Sequence, residues 1–396
     1  MLSRRASLLK PSPTLAIAAK EKELKAQGID IVGFGAGEPD FDTPDHIKQA
    51  AIGAINDNFT RYTAASGIDL LKDAVIDKFK RDNNLTYKRD EILISCGGKH
   101  SLYNLFQTIF QEGDEVIVPA PYWVSYPSMI ELAGAKPIIL ESAEEENYQI
   151  TVKMLKKVIT KKTKGIILNY PSNPVGSVYD KENLEAIGKL AEEYDFYIIS
   201  DEIYEKLAYD DYSHVSIASI DPSFKERTII CHGVSKTYAM TGWRIGFAAG
   251  PSPIIKAMGN IQSQSTSNPT SIAQIAAAAA LNGPQDSIAF MLEAFKKRRD
   301  FLVQELINIP GVTCYNPKGA FYVFPNFNNI LGKKYKGTLI DSSSTLTTML
   351  LEGFHTAVVP GIEFGKEGYL RLSFATSMEV IQKGIERIKH AVASLE

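Results

Sequence analysis

The middle of the chain alternates short apolar runs with amphipathic stretches. Six apolar runs predict β-strands: Glu91–Ser95, Glu115–Val118, Pro137–Leu140, Gly165–Leu168, Phe196–Ser200 and Thr228–Cys231. A helical stretch near Lys99–Phe110 follows the first of them. Apolar strands that alternate with helices are typical of a mostly parallel sheet buried on both faces. Ligands of such sheets bind beyond the carboxyl ends of the strands, so functional side chains are expected directly after each run.

The last third of the chain has a different pattern. Asn268–Leu281 is rich in alanine and predicted to be helical, and the breaker Asn282–Pro284 separates it from a long charged helix near Asp286–Leu306. The segments that follow predict a smaller α+β unit, with elements at Gly319–Phe324, Leu351–Gly353 and Tyr369–Phe374. The first thirty residues are expected to pack against this unit.

The length of the chain predicts more than one domain, because 396 residues exceed what one ordinary core supports. We predict an N-terminal arm that forms part of the small domain in residues 1–45. A large ligand-binding domain is predicted in residues 46–283 and a small C-terminal domain in residues 284–396.

Composition narrows the class of protein. Hydrophobic residues make up 44% of the chain and charged residues 22%, as in globular proteins. The net charge of −3 gives no general attraction for nucleic acid or anionic lipid, and no apolar run approaches a membrane span. The three cysteines have neither metal-ligand spacing nor the number of a disulfide framework. We therefore expect a cytoplasmic protein without nucleic-acid or membrane partners.

Charged residues follow two of the predicted strands. Asp201 comes directly after Phe196–Ser200, which places a carboxylate at the ligand crevice, although a helix cap is the alternative. Lys236 follows Thr228–Cys231, and Arg244 stands eight residues further on between two glycines. Together, Lys236 and Arg244 indicate a phosphate held by backbone N–H groups and a guanidinium fork.

Three further positions carry weaker signals. The glycine pair before Lys99 lies at a strand–helix junction, where an anion can approach a helix N-terminus, although a plain turn is as good an explanation. Asn173 lies in a turn after Gly165–Leu168, and Arg371 lies in an apolar stretch where a buried cation needs a partner. No Walker A or GxGxxG pattern is present, so a nucleotide-binding α/β enzyme has no positive support.

Taken together, these segments resemble the class I aminotransferases of fold type I, the aspartate aminotransferase family, in its prokaryotic-type subgroup. The most specific match is Ser235–Gly250 (SKTYAMTGWRIGFAAG). Seven other segments match in the family's order: Gly35–Pro44, Arg61–Thr63, Gly97–Phe106, Pro121–Pro127, Asn169–Gly176, Ser200–Leu207 and Tyr369–Phe374. The resemblance covers essentially the whole chain.

The resemblance implies a fold, a cofactor and an assembly. The expected fold is α/β, with a mostly parallel seven-stranded sheet sandwiched by helices in the large domain and a smaller α+β domain. The expected cofactor is pyridoxal 5'-phosphate, bound by the large domain. The expected partners are small amino acids and 2-oxo acids, and the expected assembly is a homodimer whose active sites are shared between subunits.

By the same resemblance, Lys236, Asp201 and Tyr204 are the catalytic residues. Lys236 carries the cofactor covalently and moves the substrate's α-proton, while Asp201 pairs with the pyridine nitrogen. Tyr204 and Asn173 contact the phenolic oxygen of the ring, and Trp123 stacks on the ring.

The resemblance assigns the phosphate to Arg244, the backbone of Gly98 and Lys99, and Gly233 or Ser235. Tyr62 is expected to reach the phosphate of the neighbouring subunit. One departure concerns Gly233, because some family members have a phosphate-binding serine there.

The implied substrate site uses Arg371 for the α-carboxylate, assisted by Asn173 and the backbone of Gly37. Its distal carboxylate is assigned to Lys99, Ser12 and Thr14, although a solvated arm is the alternative for Ser12 and Thr14. Tyr322 is expected either to line this pocket or to belong to the core.

The expected reaction moves the amino group between L-aspartate and 2-oxoglutarate, giving oxaloacetate and L-glutamate by ping-pong kinetics. A bifunctional aspartate/prephenate or an aromatic aminotransferase remains the alternative, and relatives of this fold also include lyases and synthases. A non-catalytic aminotransferase-like binding protein is a remote alternative, because the residues implied in catalysis are all present.

Overall fold

The computed structural model describes residues 2–9, 11 and 13–396, with the backbone alone at residues 4, 8, 13–15 and 18. Its α-helices are α1 Arg4–Leu8, α2 Pro13–Ala26, α3 Asp45–Asn56, α4 Asp69–Asn83, α5 Gly98–Ile109, α6 Ser125–Leu132, α7 Val152–Leu155, α8 Lys181–Tyr194, α9 Pro222–Lys225, α10 Ser252–Ser265, α11 Ser271–Asn282, α12 Asp286–Ile307, α13 Ser343–Phe354 and α14 Met378–Ala393. Its strands are β1 Val32–Gly33, β2 Ile92–Ser95, β3 Glu115–Ala120, β4 Lys136–Glu141, β5 Thr163–Asn169, β6 Tyr197–Asp201, β7 Thr228–Gly233, β8 Gly246–Ala249, β9 Tyr322–Val323, β10 Lys334–Tyr335, β11 Thr338–Leu339, β12 Thr356–Ala357, β13 Val359–Pro360 and β14 Leu370–Ser373.

A seven-stranded sheet forms the centre of the molecule, in the order β2-β8-β7-β6-β5-β3-β4. Five neighbouring strands, from β4 to β7, pair in parallel, and β8 pairs antiparallel with both β7 and β2. The mostly parallel seven-stranded sheet and all six predicted strands are thus confirmed. The strand β8 was not predicted, since its sequence GFAA is short, small in side chains and part of the motif around Arg244.

Alternate residues of the strands divide between two buried faces. Ile199 and Ile229 pack with residues of α5, α6 and α10. Their neighbours Ile198 and Ile230 point the other way, toward α8 and α9 or toward α3, α4 and α11. Because both faces are covered, the strands are continuously apolar, as the sequence pattern predicts.

A second core surrounds the antiparallel sheet β13-β14-β9 and the helices α12, α13 and α14. The chain near the N-terminus joins this core, because β1 pairs with β12 and Asp30 accepts a hydrogen bond from Arg387 at 2.8 Å. The predicted element Leu351–Gly353 is the last part of α13 rather than a separate element. The domain boundaries after residues 45 and 283 stay predictions.

Among the described residues, none of the helices combines the length and the apolar character that a membrane span requires.

Candidate active site

A cavity of about 400 Å³ lies at the carboxyl ends of β5, β6 and β7. Its wall also includes the loop Gly35–Glu38, the start of α5 and one residue of β14. The residues predicted for the site that line it are Gly37, Gly98, Lys99, Trp123, Asn173, Asp201, Tyr204, Ser235, Lys236, Arg244 and Arg371. The fold therefore brings together predicted residues that are up to 334 positions apart in the sequence, from Gly37 to Arg371.

Three predicted residues are not placed at this cavity. Tyr62 is 91% exposed and does not line it. Ser12 lies outside the described residues. Thr14 belongs to α2, but only its backbone is described, so its assignment to the substrate stays a prediction.

Lys236 extends from the loop after β7 into the cavity, where its amine donates a hydrogen bond to the carbonyl oxygen of Gly37. Desolvation lowers the pKa of Lys236 to about 8, the anion Glu38 opposes that effect, and the cation Arg371 adds to it. A lysine with a pKa near 8 has a substantial neutral fraction at physiological pH. It can therefore act as a nucleophile or a base.

Asp201 ends β6 and is buried at the bottom of the cavity. The hydroxyl of Tyr126 donates to its Oδ2 at 2.6 Å, and the N–H of Ile203 lies 3.3 Å from its Oδ1. Burial raises the pKa of Asp201 to about 6, although the hydrogen bond from Tyr126 acts against this. A desolvated carboxylate of this kind is well suited to a cationic group of a ligand.

Arg371 is the most buried cation of the cavity, with an exposed fraction of 2%. Its Nη1 donates to Oδ1 of Asn173 at 3.2 Å and its Nη2 to the carbonyl oxygen of Gly35 at 2.8 Å. Its Nε has no hydrogen-bond partner among the residues that the structure describes, and its guanidinium lies 4.6 Å from the ring centre of Tyr322. Within the described part of the chain, no carboxylate pairs with Arg371, so its charge is left for an anionic ligand.

The hydroxyl of Tyr204 lies 3.0 Å from that of Tyr322, beside Arg371. Asn169 fixes the position of Asn173, because the Oδ1 atom of Asn169 accepts a hydrogen bond from the backbone N–H of Asn173 at 2.8 Å. The amide of Asn169 in turn donates to the carbonyl oxygen of Asp201 at 3.0 Å. These bonds fix polar groups along one wall of the cavity.

A second anion site lies where α5 begins. Gly97, Gly98 and Gly246 meet so closely that a Cβ on Gly97 would overlap the guanidinium of Arg244, and one on Gly246 would overlap the backbone of Gly98. Arg244 donates to the carbonyl oxygens of Thr241 at 2.8 Å and Cys96 at 3.3 Å and has no carboxylate partner in the described ranges. A helix N-terminus, bare backbone and a free guanidinium are the groups that bind phosphate.

Lys99 follows Gly98 in the first turn of α5, with its amine 4.8 Å from the ring centre of Trp123. Desolvation and the nearby charge of Arg244 lower the pKa of Lys99. No acidic side chain of the described residues forms an ion pair with it, so the cavity contains a third cation free to bind a ligand.

Comparison with known proteins decides the family. The model of the family described as aminotransferase class I and II matches residues 29–388. The chain belongs to the class I and II aminotransferases. These enzymes depend on pyridoxal phosphate, and this aminotransferase has the α/β architecture of fold type I.

Individual relatives match this aminotransferase over nearly its full length. The aspartate aminotransferase of Bacillus subtilis (strain 168) is 50% identical over 99% of this chain and 98% of its own. A probable aspartate/prephenate aminotransferase of Rickettsia conorii is 50% identical over 99% and 98%. The structure of the aspartate aminotransferase from Thermus thermophilus with maleate matches with a TM-score of 0.93 at 43% identity, over 99% of both chains.

The cavity fits pyridoxal phosphate on three independent observations. The glycine junction with Arg244 fits the phosphate, the buried carboxylate of Asp201 fits a protonated ring nitrogen, and the amine of Lys236 fits the aldehyde. The guanidinium of Arg371, which contacts Asn173 and Gly35, is not needed for any of these three contacts.

Several cavity residues were not singled out from the sequence: Glu38, Tyr126, Asn169, His232 and Thr241. Four of them, all except His232, lie inside quoted motifs, but a motif of several polar and aromatic residues does not reveal which side chain points inward. Tyr322 belongs both to the core and to the cavity, so the two alternatives for it are not exclusive.

The glycine junction gives a prediction about stability. Gly246→Ala is expected to lower the free energy of unfolding by about 1–3 kcal/mol, because the added methyl group meets backbone atoms that cannot rotate away. Gly242→Ala is the matched control, since a Cβ at Gly242 meets no atom within 4 Å. Urea unfolding of both variants at one protein concentration measures the difference. Equal stabilities of the two variants would contradict the close packing described for Gly246.

Proposed function

We propose that this aminotransferase transfers the amino group of L-aspartate to 2-oxoglutarate and forms oxaloacetate and L-glutamate. The observation that carries this proposal is the pair of free cations, Arg371 and Lys99, in a cavity that already has Arg244 for a phosphate. Two cations beyond the phosphate site match the two carboxylates of a dicarboxylic amino acid. The relatives named aspartate aminotransferase and the Thermus thermophilus structure with maleate, a dicarboxylate, support the same substrate class.

The bound cofactor supplies an electron sink for the pair left when the Cα–H bond breaks. We assign its covalent attachment to Lys236, whose neutral amine, once released, takes the proton from Cα. We assign Asp201 to hold a proton on the ring nitrogen, and Tyr204 and Asn173 to donate to the phenolic oxygen. The steps run forward with aspartate and in reverse with 2-oxoglutarate. Oxaloacetate, the first product, therefore leaves before 2-oxoglutarate binds.

The remaining assignments concern orientation. Arg244, the N–H groups of Gly98 and Lys99, and Ser235 hold the phosphate, and the indole of Trp123 stacks on the ring. Gly233 has no side chain and can contribute only backbone groups to phosphate binding. A Cβ at this position would lie 3.0 Å from backbone atoms of Ile245 and Gly246.

Arg371 binds the α-carboxylate by its fixed fork of donors, which aligns the Cα–H bond for proton transfer. Asn173 already contacts Arg371, and the backbone of Gly37 lies beside Lys236. Lys99, with Ser12 and Thr14, is assigned to the distal carboxylate.

A bifunctional aspartate/prephenate aminotransferase is the second candidate. Prephenate also has two carboxylates, and the relative from Rickettsia conorii is named for both substrates. The aromatic rings of Trp123 and Tyr322 line the same cavity and can pack against an apolar substrate ring.

A panel of substrates tests the proposal. We expect aspartate with 2-oxoglutarate to give the highest kcat/KM among aspartate, glutamate and aromatic donors paired with oxaloacetate, 2-oxoglutarate and prephenate. Lys99→Met is expected to lower kcat/KM for dicarboxylic substrates by roughly 30-fold or more, since a hydrogen bond to a charged group is lost. Aromatic donors serve as the control and should change little with this variant. A higher kcat/KM with prephenate than with 2-oxoglutarate would favour the second candidate.

The hydrogen bond from Tyr126 to Asp201 predicts a pH effect on cofactor binding. Asp201 is an anion above its pKa of about 6 and takes up a proton below it, so the affinity for the cationic ring is present above this pH and is lost as the pH falls. Tyr126→Phe removes the donor that stabilises the anion and should move this loss upward by about one pH unit.

Titration of the apoenzyme with pyridoxal phosphate between pH 5 and pH 8 measures this effect. Tyr103→Phe is the control, because Tyr103 packs on the same face of the sheet but does not line the cavity. An unchanged pH dependence in Tyr126→Phe would argue against the assignment of Asp201.

We also propose a homodimer with shared active sites. Ile52, Ile55, Phe59 and Tyr62 expose apolar surface close together in the sequence, on α3 and just after it, and such surface is typical of a protein interface. In that dimer, Tyr62 reaches the phosphate in the cavity of the partner.

Mixed dimers test this arrangement. Lys236→Ala and Tyr62→Ala chains are each expected to be defective, the first in covalent attachment and the second in cofactor affinity. A mixed dimer combines Lys236 of one chain with Tyr62 of the other in one of its two sites. We expect one site of wild-type cofactor affinity per mixed dimer, measured by pyridoxal phosphate titration of purified heterodimers. Mixed dimers with no site of wild-type affinity, in which one site keeps the weak affinity of the Tyr62 variant and the other the defect of the Lys236 variant, would exclude a shared site.

The compartment is a further part of the proposal. Cys96, Cys231 and Cys314 are free thiols in the structure. Free thiols are typical of a reducing compartment, so we assign the enzyme to the cytoplasm.

A further inference from the structure

A buried network of charges lies behind the cavity, between α4 and the carboxyl end of β7. Glu205 accepts from Lys78 Nζ at 2.6 Å and from the amide of Asn83 at 3.1 Å, and Lys78 also donates to Oδ1 of Asn83 at 2.7 Å. His232 lies next to Glu205, and all four residues are at least nine-tenths buried. Charges buried at this depth are costly unless they are paired, so their arrangement is strongly constrained.

His232 connects this network to the chain that leads to Lys236. Its Nε2 lies 3.4 Å from Oε2 of Glu205, which is long for a hydrogen bond, and has no other polar partner in the described residues. Its Nδ1 lies 2.7 Å from the backbone nitrogen of Gly233 and 3.1 Å from the carbonyl oxygen of Gly233. The ring is stacked on Phe247 of β8 with ring centres 5.2 Å apart, so it cannot turn freely.

The protonation of the ring decides which atom of Gly233 it holds. A neutral histidine has one N–H and one lone pair. Because the carboxylate of Glu205 only accepts, it favours the proton on Nε2, which leaves the lone pair of Nδ1 for the N–H of Gly233. With the proton on Nδ1, the ring would instead donate to the carbonyl oxygen of Gly233 and face Glu205 with a lone pair.

We propose that His232 is a positioning residue for cofactor binding, which acts by holding the N–H of Gly233 through its Nδ1. The proposal rests on the assignment of Ser235 and Lys236 to the cofactor, which follow Gly233 by two and three residues. Glu205, fixed by Lys78 and Asn83, keeps the ring in the tautomer that accepts this N–H. The chain from Gly233 to Lys236 is thereby set before the cofactor arrives, which reduces the cost of ordering it on binding.

Neighbouring charges do not turn this network into a metal site. Glu202, Glu205 and His214 place possible ligand atoms within 4.8 Å of one another. Glu202, however, already accepts from Ser200 and Ser216 at 2.7 Å and contacts His214 at 3.0 Å, while Glu205 is held by Lys78. These contacts leave the carboxylates engaged by protein donors, so a positioning role explains them better than an ion.

Three substitutions of His232 distinguish the contact of Nδ1 with Gly233 from the contact of Nε2 with Glu205. In His232→Asn, the amide oxygen can occupy the place of Nδ1 and accept from Gly233, but the contact with Glu205 is lost. In His232→Gln, the amide nitrogen can reach Glu205, but the acceptor for Gly233 is lost. His232→Phe keeps the packing on Phe247 and loses both polar contacts.

We expect His232→Gln and His232→Phe to bind pyridoxal phosphate roughly tenfold more weakly than wild type, the loss that one hydrogen bond produces, and His232→Asn to stay within about threefold. Titration of the apoenzymes with pyridoxal phosphate measures these affinities without any amino-acid substrate, so a wrong assignment of aspartate does not affect the result. His214→Asn is the control, because it alters a buried carboxylate contact next to the network, that with Glu202, without touching Gly233, and should lower stability alone.

The tautomer itself is a second, independent measurement. Nitrogen-15 NMR of histidine-labelled apoenzyme should show His232 with its proton on Nε2. In Glu205→Gln, Lys78 requires the amide oxygen, so the amide nitrogen takes the place of Oε2, which faces His232 and the amide of Asn83. The hydrogen bond from Asn83 is then lost, and the amide nitrogen should drive the proton of His232 to Nδ1, with a matching loss of cofactor affinity.

Two outcomes would overturn the proposal. One is equal cofactor affinity in His232→Asn, His232→Gln and wild type, which would reduce His232 to packing; this comparison decides even if His232→Phe does not fold. The other is a proton on Nδ1 in the wild-type enzyme. A failed assignment of Lys236 is recognised separately, since borohydride reduction would then attach the cofactor to a different residue.

Discussion

The burial of one carboxylate, Asp201, is the constraint on which the site depends. Its position at the end of β6 removes it from water and raises its pKa to about 6, so the carboxylate is still mostly ionised at neutral pH but its charge carries a desolvation cost. A cationic ligand removes that penalty, whereas a neutral ligand does not. The sheet therefore selects for a protonated ring nitrogen before any contact with phosphate or substrate is considered, and Tyr126 adjusts how strongly it does so.

Much of this architecture can be predicted from the sequence. The apolar runs predict six strands of the central sheet because a strand buried on both faces has no polar alternation to obscure it. Asp201, Lys236 and Arg244 can be found for a related reason, since parallel strands deliver their carboxyl ends to one edge and the polar residues after them must meet there. The strand β8 is missed because it returns antiparallel within a glycine-rich motif that already has another explanation.

The remaining features depend on distances that the sequence does not contain. Tyr126 is one of several aromatic residues in its motif, and only the packing of α6 against the sheet shows that its hydroxyl meets Asp201. His232 lies within an apolar strand, where a buried histidine is more often ordinary core. Its contact with Glu205 arises from the turn after β6, which no periodicity predicts. Tyr62, by contrast, does not line the cavity of its own chain, so the role proposed for it requires a second chain.

The buried charge network and the cations of the cavity differ in whether their charges are paired. Next to α4, Lys78, Glu205 and Asn83 satisfy one another almost completely, so this group can fix the backbone but has nothing to offer a ligand. In the cavity, Arg371, Arg244 and Lys99 meet no carboxylate of the described chain, and mutual repulsion and desolvation make that state unfavourable until anions bind. Binding of a phosphate and a dicarboxylate relieves it. A folded core avoids the cost of desolvated, unpaired charges by pairing them. At the strand ends the charges stay unpaired, and relief of that cost favours binding of the ligand.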